Sequence, residues 1–147
     1  MKIFLDANIL IAAAGSDSGA SRYLFSVAER DPRWQLVTSA YALAEARANV
    51  LTKLPASYSA FASLITAPTL TIVHPPSEAI LKLTRGLVPR KDEAILAAAI
   101  SCSAEALCTL DKKDSHTPKL KQHAKKWNLR IVLPKDLLED WRAEQRT

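Results

Sequence analysis

Residues 2–6 read Lys-Ile-Phe-Leu-Asp and residues 106–111 read Ala-Leu-Cys-Thr-Leu-Asp. Each is a short apolar run of strand type that stops at an aspartate. Further apolar runs follow the same plan: Trp34–Thr38, residues 69–74 (TLTIVH) and Leu129–Leu133. Helical stretches separate them. Ser18-Gly19-Ala20-Ser21 opens one in which Tyr23, Leu24, Val27 and Ala28 recur at helical spacing. Ser39 is placed to cap another running to about Lys53, Pro55 ends it, and Ser57 starts a third to about Ala67. Pro75-Pro76-Ser77 hands over to a helix ending near Gly86, and Asp92–Ser103 is so rich in Ala, Ile and Leu that it reads as a helix buried on most sides. Thr117-Pro118 begins a lysine-rich helix, and Pro134 leads a last one carrying Leu137, Leu138 and Trp141. The segment between Asp6 and Ser18 is read as a loop or first turn. Strands alternating with helices predict an α/β fold, a three-layer α/β/α arrangement around a central parallel sheet of about five strands.

The chain has 147 residues, which suits one domain of the usual ~100–200 residues, so residues 1–147 are read as a single domain. With 48% hydrophobic and 24% charged residues, the composition is globular rather than disordered or fibrous. No apolar run approaches the ~18–20 residues needed to span a bilayer. Asp6 and Asn8 interrupt the early apolar stretch where the core of a signal peptide would be continuous. A cytoplasmic chain with no membrane partner is expected. Cys102 and Cys108 lack partners at metal-ligand spacing and read as reduced, buried thiols. The net charge of +5 leans toward an anionic partner.

In open parallel sheets, ligands bind beyond the carboxyl ends of the strands. Asp6 and Asp111 stand there. Glu45 lies among Ala42, Ala44, Ala46 and Ala48, and Asp92 falls in the first turn of the most apolar helix, followed by Glu93. One strand-end aspartate is ordinary turn chemistry. Four acids converging would repel, so they need protonation, basic partners or a cation. Oxygen donors of this kind favour Mg²⁺ or Mn²⁺.

The order of these pieces resembles the PIN-domain ribonucleases, many of which are VapC-type toxins of prokaryotic toxin–antitoxin modules. The resemblance is carried by Asp6-x-Asn8, Ser39-x5-Glu45, Asp92-Glu-Ala-Ile-Leu-Ala-Ala-Ala and Thr109-Leu-Asp111-Lys-Lys-Asp114, and it covers nearly the whole chain. It implies that Asp6, Glu45, Asp92 and Asp111 are a catalytic, metal-holding quartet, with Asp114 as a candidate fifth acid. Asn8, Ser39 and Thr109 would be polar supports. Glu93 is the alternative to Asp92, which the spacing to Ile95 favours. The sequence departs from the family at Ser115-His116, where an aromatic or apolar residue is usual after the last acid. The implied function is a Mg²⁺- or Mn²⁺-dependent endoribonuclease that leaves a 5′-phosphate and a 3′-hydroxyl and is neutralised by an antitoxin. Such an antitoxin would cover an apolar groove near residues 20–30 and 40–65. Homodimers are common in the family.

RNA contacts are expected from two basic groups. Residues 112–126 hold Lys112, Lys113, Lys119, Lys121, Lys125 and Lys126 against one acid, and Arg85, Arg90 and Lys91 precede Asp92. Of these, Arg90, Lys91, Lys112 and Lys113 flank the acids most closely. Trp127 reads as core, and His74, His116 and His123 as structural or solvated. Two other readings stay open: a phosphohydrolase of the haloacid dehalogenase type using Asp6, although residue 8 is Asn where that class wants Asp, and a non-catalytic RNA-binding or interaction protein of the same fold.

Overall fold

The computed structural model describes all 147 residues. Its first strand, β1 (Lys2–Leu5), has Ile3, Phe4 and Leu5 fully buried. Successive strand residues point to opposite faces, so burial of all three means that both faces of the sheet are covered. Four more strands complete the sheet: β2 (Gln35–Ser39), β3 (Leu70–Val73), β4 (Ala106–Cys108) and β5 (Arg130–Val132). All neighbours are parallel and the order is β3-β2-β1-β4-β5. The result is a five-stranded parallel sheet in an α/β/α layering.

The connections are α1 (Ala7–Gly15), α2 (Ala20–Arg30), α3 (Ala40–Lys53), α4 (Tyr58–Ile65), α5 (Glu78–Thr84), α6 (Arg90–Ser101), α7 (Lys112–Ser115), α8 (Pro118–Ala124) and α9 (Pro134–Gln145). The segment after Asp6, read as a loop or first turn, is the helix α1. Asp6 caps it, its carboxylate accepting from Ala7 N at 2.6 Å. The remaining sequence is apolar nearly all round, so it lacks the polar and apolar periodicity that announces an exposed helix. Strand β4 is shorter than the apolar run that signals it. Thr109 N still donates to Val132 O at 3.1 Å, after which the chain turns around the Thr109 side chain and leaves the sheet.

Because β3 follows β2 on one side and β4 returns to the other side of β1, the strand order reverses between β1 and β4. That reversal opens a crevice at their carboxyl ends, where α/β folds place ligands. Helix α6 packs on β2, β4 and α3. Its Ala97, Ala98 and Ala99 are fully buried, and these small side chains let the helix lie close to the sheet with its first turn over the crevice. Cys108 is buried and Cys102 half-buried, both unpaired. Trp127 is partly buried against the core. No helix is long and apolar enough to cross a membrane.

Candidate metal centre

Asp6 ends β1 and is 9% exposed. One carboxylate oxygen caps α1 through Ala7 N. The other accepts from Thr109 Oγ1 at 2.8 Å. Thr109 is fully buried, and its hydroxyl oxygen accepts in turn from Asn8 Nδ2 at 3.0 Å and from Asp111 N at 3.2 Å. One donor and two acceptor positions exhaust a hydroxyl. Asn8 closes the loop by accepting from Leu110 N at 3.0 Å. This ring of side chains locks the end of β4 to the end of β1 and fixes where Asp111 leaves the sheet. Replacing Thr109 with the isosteric Val strips donors from Asp6 and acceptors from Asn8 in a buried place. Its expected cost is about 1–3 kcal/mol of stability, read from the urea midpoint.

Asp111 caps α7 by accepting from Asp114 N at 3.2 Å, which turns Asp114 back toward it. Asp92 arrives from the first turn of α6. The carboxylates of Asp92, Asp111 and Asp114 offer oxygens that all lie within 4.8 Å of one another. One Asp92 oxygen, Oδ2, is buried with no hydrogen-bond partner. Neither Asp6 nor Glu45 belongs to so tight a grouping, but both feel it. The Asp92 carboxyl is pushed up to about 6, first by burial and then by the charge of Asp6, with Asp111 and Glu45 adding to it. Burial raises Asp6 despite its hydrogen bonds, and Asp111 raises it further. Glu45, on the exposed side of α3, is also raised by burial and then by Asp6. Lys91 opposes all three rises. It makes no ion pair, and its backbone carbonyl accepts from Tyr41 Oη at 3.2 Å, tying the start of α3 to the start of α6.

The donor set is one that a hard divalent cation fits: several carboxylate oxygens, no thiol or imidazole among them, and an orphaned buried acceptor. An unpaired buried carboxylate oxygen is expensive, and a cation would supply the missing partner.

Two solved structures share the architecture. A chain of VapBC2 from Rickettsia felis, solved bound to a DNA fragment from the VapBC2 promoter, superposes with a TM-score of 0.65 at 17% identity, over 90% of this chain and 98% of that one. VapC20 from Mycobacterium tuberculosis, a Sarcin-Ricin loop cleaving toxin, superposes with a TM-score of 0.55 at 14% identity, over 76% of this chain and 91% of that one. The chain has a PIN-like fold. No protein-family model and no curated protein matches its sequence.

Within this PIN-like fold the remaining sequence candidates fall as follows. Ser39 caps α3 through Ala42 N at 3.1 Å, so it orients the helix that carries Glu45. Glu93 points elsewhere: its carboxylate accepts from Gly86 N at 2.9 Å, closing the turn after α5, where Gly86 sits at φ +78°. Arg90, Lys91, Lys112 and Lys113 are all exposed at the rim. His116, at the departure from the family pattern, donates from Nε2 to Thr109 O at 2.7 Å and so braces the turn that carries Asp111. The closeness of Asp114 to Asp92 could not be read from spacing, because it depends on α7 folding back on Asp111. The only local signal was Asp111 three residues before Asp114, the spacing of a helix cap.

Proposed function

We propose that the chain is a divalent-metal-dependent endoribonuclease, a toxin neutralised by a cognate antitoxin, which hydrolyses RNA phosphodiester bonds. The observation that carries this reading is the buried, unpartnered Asp92 Oδ2 within a 4.8 Å grouping of three carboxylates. The fold adds support, since VapC20 is itself a Sarcin-Ricin loop cleaving toxin.

Asp92, Asp111 and Asp114 would hold Mg²⁺ or Mn²⁺, with Asp6 beside them. Such an ion supplies Lewis-acid activation of water and offsets charge on the scissile phosphate. The chain's own groups do the rest. Glu45, whose carboxyl is raised by partial burial and then by the charge of Asp6, accepts a hydrogen bond from the attacking water and orients it. Lys91, free of ion pairs, reaches the phosphate. Arg90, Lys112 and Lys113 grip the flanking strand without reading bases. Cleavage on the 3′-oxygen side of the phosphorus leaves a 3′-hydroxyl and a 5′-phosphate.

An aspartyl-phosphate route through Asp6 fits the geometry less well. Both Asp6 oxygens already accept hydrogen bonds, and Asn8, where a second acid would be needed, is engaged by Thr109 and Leu110. For the antitoxin, Tyr41, Leu51 and Leu54 on and just after α3 are 48%, 52% and 38% exposed. Each is an exposed apolar side chain that a partner laid along α3 would cover.

The test is incubation of the purified chain with structured RNAs in Mg²⁺, Mn²⁺ or EDTA. The wild type is expected to cleave only with metal, and Asp6→Asn to lose at least ~100-fold in rate, beyond what outer groups of a metal site contribute. Equal cleavage by the two proteins would remove the proposed site. Salt-sensitive RNA binding with no cleavage would favour a non-catalytic RNA-binding protein instead.

A further inference from the structure

The chain has nine aromatic side chains, three each of Phe, Trp and Tyr. The others are buried or half-buried, and only Tyr41, 48% exposed, faces solvent. The other two tyrosines have partners for their rings. Arg30 and Arg142 stand over Tyr23 at 5.5 and 5.6 Å, and Tyr58 packs on Phe61 with centroids 6.1 Å apart. No ring or guanidinium group of the protein packs on Tyr41. An aromatic side chain contributes mainly through what its faces touch, so an open ring that is also held in place marks room for a partner.

Tyr41 is held at both ends. Its backbone lies in the first turn of α3, which Ser39 caps through Ala42 N, and its Oη donates to Lys91 O at 3.2 Å. The same anchor sets the ring beside the acids. Lys91 is the chain neighbour of Asp92, a member of the tight carboxylate grouping, and its ammonium charge is felt by Asp6, Glu45 and Asp92. Glu45 follows Tyr41 by one helical turn, and side chains on a helix lean toward its N-terminus, so Glu45 leans over the turn that carries the ring. The ring therefore borders the metal centre, between Glu45 on α3 and the start of α6. Arg90 and Lys91 at that start are exposed and outside every ion pair. An aromatic face flanked by free cations suits single-stranded nucleic acid, whose bases stack on the ring while its phosphates meet the cations.

We propose that Tyr41 is a stacking platform for one base of a single-stranded RNA segment and holds the nucleotide next to the scissile phosphate at the metal centre. The identity of the strand rests on the nuclease reading above. Every base has a π-face, so the platform positions the strand without selecting its sequence.

The test is binding of a uridine decamer with one central 2-aminopurine to the full chain in EDTA. Affinity is read from the anisotropy of a terminal fluorescein, and stacking from quenching of the 2-aminopurine. The wild type is expected to bind and to quench. Tyr41→Phe keeps the ring and loses the hydrogen bond to Lys91 O; it is expected to quench and to bind within about 3-fold of wild type. Tyr41→Leu keeps apolar bulk and loses the π-face; it is expected to bind ~5-fold or more weakly and not to quench. A decamer of abasic ribose phosphates should bind wild type and Tyr41→Leu alike. Both substitutions fall at an exposed position, so melting temperatures should stay within about 3 °C of wild type, and two variants that differ in the ring alone separate stacking from misfolding. Failure of the wild type to bind the decamer, quenching that survives in Tyr41→Leu, or Tyr41→Phe as weak as Tyr41→Leu would each overturn the proposal. So would full affinity in Tyr41→Leu, which would leave the ring to a protein partner. No cleavage is read here. A chain that binds and quenches in this way but never cuts RNA with metal would sink the nuclease reading and leave the platform standing. A chain that cuts RNA while Tyr41→Leu binds like wild type would sink the platform alone.

Discussion

Replacing Asp92 with Asn is expected to raise the melting temperature of the metal-free protein at pH 8 while lowering RNA cleavage by at least ~100-fold. The two effects have one cause. The Asp92 carboxyl titrates at about 6 in the folded chain, against about 4 in an unfolded one. Between those values the folded chain holds a proton that the unfolded chain has released. Stability therefore falls as pH rises through that window, and the full penalty of the crowded, half-buried carboxylate is present above it. Asn removes the penalty. With solvent screening discounted, the gain is about 1 kcal/mol, or about 2–4 °C for a domain of this size. At pH 4 and below, wild type and variant should melt together. Thermal scans in EDTA at the two pH values check this, and a variant less stable than wild type at pH 8 would contradict it.

Manganese is expected to produce the larger stability change. An ion that binds only the folded chain adds about 2.7 kcal/mol at a hundredfold excess over its dissociation constant, a rise of about 5–10 °C. The rise should be greater at pH 8 than at pH 5, because below about 6 the ion must displace the Asp92 proton. Asp111→Asn removes a carboxylate from the 4.8 Å grouping and should abolish most of the rise. The same shift in that variant, measured by differential scanning fluorimetry, would place the ion elsewhere.

The parts of the fold that were legible share a physical basis. β1 and β4 are short apolar runs that end at acids, and the parallel order follows from strands alternating with helices. The helix α1 was not legible, since Ala7–Gly15 is almost uniformly apolar and its burial comes from neighbours distant in sequence. Nor was the short α7, which Asp111 caps ahead of the helix that begins at Thr117-Pro118 as its sequence predicts. At the site, residue types and strand ends pointed to Asp6, Glu45, Asp92 and Asp111. Their geometry adds Asp114 to the tight grouping and turns Glu93 toward Gly86, while Thr109 and Asn8 form the brace beneath it.

Asp92, Asp111 and Asp114 are proposed to hold one divalent ion. A crystal of the protein soaked in Mn²⁺ and measured at the manganese absorption edge tests it directly. An anomalous peak bounded by those three carboxylates, with Asp92 Oδ2 on the ion, is the predicted result. A saturated soak with no peak there, or with its only peak outside the acidic cluster, would contradict it.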